Sequence, residues 1–117
     1  MKTEFYPLSD ELVVAGQLRA EDMAQVAQAG FKSVVINRPD QEGGPLQPSS
    51  DQVIEAAQAA GMQAVYQPVV SGQLTPKDAE TFLQLLEALP KPILAYCRSG
   101  GRCTSLFHAA QTLRERD

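Results

Sequence analysis

The residues with the clearest chemical purpose lie in one stretch, Tyr96-Cys97-Arg98-Ser99-Gly100-Gly101-Arg102-Cys103. Its two adjacent glycines let the backbone turn tightly with the amides directed inward, which makes an anion cradle. A helix starting after them adds partial positive charge, and Arg98 and Arg102 can supply full ones. A thiol in that field loses its proton readily, so Cys97 is expected to be a thiolate nucleophile that needs no histidine partner. The plainer alternative is a buried core cysteine followed by an ordinary turn. Two arginines and two glycines build a core poorly and bind an oxyanion well, which favours the chemical reading.

The surrounding elements must hold this loop in place. Pro92 to Tyr96 is a short apolar strand directly before Cys97, and from about Cys103 the chain turns helical, with Leu106, Phe107, Ala110 and Leu113 able to face a core. Upstream, Leu12 to Ala15 reads as a strand ended by Gly16, Ala20 to Ala29 as a helix ended by Gly30, and Phe31 to Asn37 as a buried strand. Arg38 to Ser49 is the longest loop. Ser49 and Gln52 then stand at capping-box spacing for a helix to about Ala60, stopped by Gly61. Gln63 to Val70 is a third strand that Pro68 marks as an edge, a strand end or an early termination. Thr75, Pro76 and Asp78 open a further helix, which buries Phe82, Leu85, Leu86 and Leu89 and stops at Pro90.

Strands alternating with helices imply crossover units. The expected fold is therefore three-layered α/β, a central mostly parallel sheet of four to five strands flanked by helices. In such sheets ligands sit beyond the carboxyl ends of the strands, and Cys97 occupies such a place.

Composition narrows the function. The 117 residues suit a single domain over 1–117, and a net charge of -4 argues against a nucleic-acid partner. No apolar run approaches a membrane span or a secretory signal, so a cytoplasmic location and no membrane partner are expected. Two cysteines and one histidine form neither a disulfide framework nor a zinc site, and no metal or organic cofactor is implied.

Several motifs in order make the chain resemble the phosphatase-like domain family of beta-lactamase-hydrolase-like proteins, a bacterial branch of the protein tyrosine and dual-specificity phosphatase fold. They are Leu12-Val13-Val14-Ala15-Gly16-Gln17, Val35-Ile36-Asn37-Arg38-Pro39-Asp40, Gln67-Pro68-Val69 and Ala95-Tyr96-Cys97-Arg98-Ser99-Gly100-Gly101-Arg102. The resemblance implies a cysteine-dependent hydrolase of a phosphomonoester, phosphotyrosine included, through a thiophosphoryl intermediate on Cys97. Arg102 would clamp the phosphate and the amides of Arg98 through Arg102 would cradle it. The resemblance also implies continuation beyond Asp117 into a closing helix.

The chain departs from the phosphatase pattern in three places. Four residues rather than five separate Cys97 from Arg102, and this shorter spacing is similar to that of rhodanese sulfurtransferases, which carry sulfur as a cysteine persulfide. The stretch after Pro68, where the fold usually presents a general acid, holds none. Asp40 and Asp78 are the substitutes on offer, against the competing readings of a solvated loop residue and a helix cap. The position after Arg102 is Cys103, either a resolving thiol for an oxidised or persulfidated Cys97 or a small residue in the first helical turn. His108 is assigned no role, and Arg38 and Tyr66 are placed near the pocket wall by fold position alone.

Three functions follow: a phosphatase-like hydrolase, a sulfurtransferase, or a non-catalytic module binding an anion or phosphoprotein. The partner is correspondingly a phosphorylated or sulfur-carrying small molecule or protein.

Overall fold

The computed structural model describes residues 4–116. Its strands are β1 (Phe5–Pro7), β2 (Leu12–Ala15), β3 (Ser33–Ile36), β4 (Gln63–Tyr66) and β5 (Ile93–Tyr96), and its helices are α1 (Met23–Gln28), α2 (Ser50–Ala59), α3 (Pro76–Ala88) and α4 (Gly101–Arg116). The strands form one sheet of order β1-β2-β5-β3-β4. Only β1 is antiparallel to its neighbour, and β5 runs between β2 and β3.

Register sets the site. Ala15 and Ile36 both pair with Tyr96, and Ile36 also pairs with Tyr66. The carboxyl ends of four parallel strands are therefore level, and the next residues along them, Gly16, Asn37, Gln67 and Cys97, share one edge of the sheet. The hydrogen bonds Asn37 N to Tyr96 O and Gln67 N to Ile36 O carry the ladder one step past the strand ends.

Side chains alternate along β5, as a strand requires. Ile93, Ala95 and Cys97 face one apolar layer with Phe82 and Leu86 of α3 and Cys103, Leu106 and Ala110 of α4. Leu94 and Tyr96 face the other, with Met23 and Val26 of α1 and Val53 and Ala57 of α2. This is the expected three-layer α/β arrangement. Each large side chain fully removed from water in these layers contributes about 1.5–3 kcal/mol before conformational entropy is counted.

Several boundaries differ from the sequence-based expectation. β1 was not anticipated: it is three exposed residues ending in Pro7, too short to show an alternating pattern. Phe31 to Asn37 narrows to β3. β4 ends at Tyr66 rather than Val70, because Pro68 has no N–H to continue the ladder, and β4 is an edge strand. The helix expected over Ala20 to Ala29 divides into a short 3₁₀ turn, Ala20–Asp22, and α1. α4 begins at Gly101, two residues early.

Two helix starts show how local chemistry fixes the frame. At α3, Thr75 Oγ1 accepts from Asp78 N at 3.1 Å and the Asp78 carboxylate accepts from Thr75 N at 3.0 Å, the reciprocal capping box, with Pro76 at the first position. At α2, Ser49 Oγ accepts from Gln52 N, one half of the expected box, and the next donor, at Ser50, is satisfied from the preceding loop. Asp40 supplies a carboxylate there, accepting from the Ser50 backbone N–H and hydroxyl, both at 2.7 Å.

Candidate active site

Cys97 leaves β5 at the centre of the sheet with its sulfur buried, the residue being 1% exposed. Its backbone N–H donates to Ala15 O, and Gln17 N donates to Arg98 O, so the β2 end clamps the loop from one side. Gly16 permits this approach, since a Cβ there would come within 3.0 Å of Arg98 O. Gly100 is left-handed, with φ 94°, and its N–H donates to Cys97 Sγ at 3.1 Å. Thr104 then donates twice to Gly100 O, through its N–H and its hydroxyl, and α4 is under way.

The electrostatics follow from these donors. The Cys97 thiol is drawn down to about 5, first by the Cys103 side chain and then by the backbone amides of Cys103, Ser99 and Gly100, against the opposing effect of burial. The Cys103 thiol is pushed well above its usual range, by burial first and then by the Cys97 charge. Of the two sulfurs, Cys97 carries the charge and Cys103 keeps the proton. Cys103 Sγ also donates to Asn37 Oδ1 at 3.2 Å, and Asn37 is fixed in turn by its side-chain bond to Gln67 O. The thiol has one hydrogen, which points to the Asn37 oxygen in this geometry, and an ionised Cys97 competes for it.

Arg102 enters from the first turn of α4. Its NH1 donates to Val69 O at 2.9 Å and its NH2 to Glu42 Oε1 at 3.0 Å. Its Nε is buried and has no hydrogen-bond partner among the described residues. A buried guanidinium N–H without an acceptor is costly, and an oxyanion would satisfy it.

The other residues singled out by the sequence are scattered in role. Arg98 and Ser99 are exposed on the loop. They border a depression shared with Tyr6 and Gln17, while Ser99, Gly101 and Arg102 border a second one walled by Val70 and Leu74. Asp40 and Asp78 are both engaged at helix N-termini, as described above, so each carboxylate already has a structural duty. Tyr66 accepts from Asp40 N through its hydroxyl, and Arg38 bonds Glu42 and Gln17, so both brace the 38–49 loop. His108 is exposed with its ring tilted against Phe107.

Glu42 escaped the sequence reading. An acid four residues after Arg38 suggests a local pair, but nothing in the sequence links it to Arg102, sixty residues away. No group of three or more His, Cys, Asp or Glu side chains that could hold a metal occurs among the described residues. No helix among them is long and apolar enough to cross a membrane.

Comparison with known proteins agrees with this geometry. Residues 4–114 match the family described as beta-lactamase hydrolase-like protein, phosphatase-like domain. A curated beta-lactamase hydrolase-like protein of Agrobacterium fabrum is 34% identical over 106 residues, which cover 91% of this chain and 24% of that protein. The chain thus spans about a quarter of this relative's length. The crystal structure of a putative phosphatase from Neisseria meningitidis is 38% identical, with TM-score 0.80, covering 87% of this chain and 72% of that one. TpbA of P. aeruginosa, solved in complex with pTyr, is 18% identical with TM-score 0.61 over 82% of this chain and 54% of its own, a likeness of fold. The chain belongs to the phosphatase-like domain family of beta-lactamase hydrolase-like proteins.

Proposed function

We propose that this family member is a cysteine-dependent, phosphatase-type hydrolase of phosphomonoesters, with Cys97 as nucleophile and Arg102 as the oxyanion clamp. The observation that carries this reading is the pairing of a thiolate-stabilising loop with a buried, unpartnered Arg102 Nε. In the first step the Cys97 thiolate attacks phosphorus, the ester P–O bond breaks, and the leaving oxygen takes a proton from water. In the second, water attacks phosphorus, the P–S bond breaks, inorganic phosphate departs and the thiolate is restored. The inward amides and Arg102 stabilise the charge on the equatorial oxygens. Phosphotyrosine, the ligand in the TpbA complex, is a candidate substrate.

One observation favours a second reading. Asp40 and Asp78 are both engaged at helix N-termini, leaving neither acid as a ready proton donor for a leaving group. Sulfur transfer needs none. The Cys97 thiolate would attack the outer sulfur of thiosulfate, the S–S bond would break with release of sulfite, and the resulting persulfide would pass its sulfur to an acceptor such as cyanide.

A paired assay of wild type and Cys97→Ser separates these. The phosphatase reading expects p-nitrophenyl phosphate hydrolysis that disappears in the variant. A mass gain of one sulfur on Cys97 with thiocyanate production, and no phosphate release, would replace it with sulfur transfer. Oxyanion binding without either turnover would leave a binding module.

A further inference from the structure

Arg102 has a neighbour that the cradle alone does not explain. Its guanidinium, only 9% exposed as a side chain, donates through NH2 to Glu42. A carboxylate there opposes the charge on which an oxyanion site depends. The same Glu42 oxygen also accepts from Arg38 Nε at 3.1 Å. Arg38 is itself locked, with NH1 donating to Gln17 Oε1 at 3.0 Å and Gly43 lying so close that a Cβ there would meet Arg38 NH2 at 2.6 Å. The chain passes through a left-handed conformation at Gln41, φ 64°, immediately before Glu42. The Glu42 carboxyl is held below the usual carboxylate range by its bonds to Arg102 and Arg38, so it is charged at neutral pH.

We infer that Arg38 and Glu42 form a charge-balanced brace for Arg102: Glu42 fixes the guanidinium with Nε left for the ligand, and Arg38 offsets the Glu42 charge so that a bound oxyanion meets the full charge of Arg102. Both are positioning residues, and the inference rests on the reading of the Cys97–Arg102 loop as an oxyanion site. Glu42 alone would orient Arg102 and neutralise it. Arg38 alone would add positive potential without fixing any geometry. Together they hold the arginine still and keep the site cationic.

The test is calorimetric titration of sulfate, a dianion, and methanesulfonate, a monoanion, into the Cys97→Ser chain and into that chain carrying Arg38→Gln, Glu42→Gln or both. Arg38→Gln should weaken sulfate about tenfold and methanesulfonate about threefold, because the exposed Glu42 charge acts in proportion to ligand charge. Adding Glu42→Gln, which keeps an acceptor for Arg102 but not the charge, should recover most of the loss. Arg38→Lys should stay near the parent. A double variant that melts like the parent yet binds as poorly as Arg38→Gln alone, or equal losses for both anions, would overturn the brace. If the parent chain binds sulfate and the brace variants show no such pattern, only the brace fails. If the parent binds neither anion, the oxyanion-site reading fails and the brace with it.

Discussion

The Gly100 N–H donates to Cys97 Sγ across 3.1 Å, so the residue whose left-handed backbone turns the loop also helps hold charge on the Cys97 sulfur. Turn and chemistry are the same feature. Gly100 sits at φ 94°, and a Cβ there would lie no nearer than 3.5 Å to the Tyr6 ring and the Ala15 carbonyl, so its place in the loop is conformational rather than steric.

Gly100→Ala should therefore cost about 1–2 kcal/mol of stability through left-handed strain alone. It should also lower kcat/KM roughly tenfold, the worth of about one charge-assisted hydrogen bond. Chemical denaturation and steady-state kinetics read the two effects separately, and a variant of unchanged stability would show that the strained turn is not required.

The Cys103 side chain does most to draw the Cys97 thiol down, and it lies wholly out of water. Cys103→Ala should raise the midpoint of Cys97 ionisation by about one unit, in line with one hydrogen bond to a charged group. Cys103→Ser, which keeps a donor, should restore most of it. Equal midpoints in the two variants would assign Cys103 to packing alone.

The lowered Cys97 value makes stability depend on pH. Its folded value, about 5, lies below the ordinary thiol value of 9.0, so the unfolded chain binds the extra proton between the two. The Cys97 contribution is fully present above about pH 9 and is lost as pH falls through 5. The stability of wild type minus that of Cys97→Ser should thus rise from pH 5 to pH 9, measured by urea denaturation. A flat difference across that window contradicts the depressed value.

Asp78 and Asp40 serve helix starts. Asp78→Ala and Asp40→Ala should each lose about 1 kcal/mol of stability while leaving kcat within a few-fold. A kcat reduced a hundredfold with little loss of stability in either would restore that residue as the general acid.

Much of this was legible from the chain. Alternating apolar runs, Gly30 and Gly61 after helices and the Thr75-Pro76-Asp78 start mark local geometry, because each acts through neighbours a few residues away. The turn at Gly100 was legible for the same reason: Cys97, Gly100 and Arg102 lie within one strand-to-helix loop. What stayed hidden depends on distant pairing. β1 exists because Phe5 to Pro7 finds β2, Asp40 caps a helix ten residues on, and Glu42 reaches Arg102 only because the level strand ends bring the 38–49 loop beside α4. Asn37, buried within a strand-like run, gave no sign in sequence that its side chain would anchor Cys103.

Whether Cys97 rests as a thiolate in this loop is read most directly from the absorbance of thiolate near 240 nm as a function of pH, taken as wild type minus Cys97→Ser. A single step with its midpoint near pH 5 is expected, with no contribution from Cys103 up to pH 9. A step that begins only near pH 9, where an ordinary thiol ionises, would contradict it.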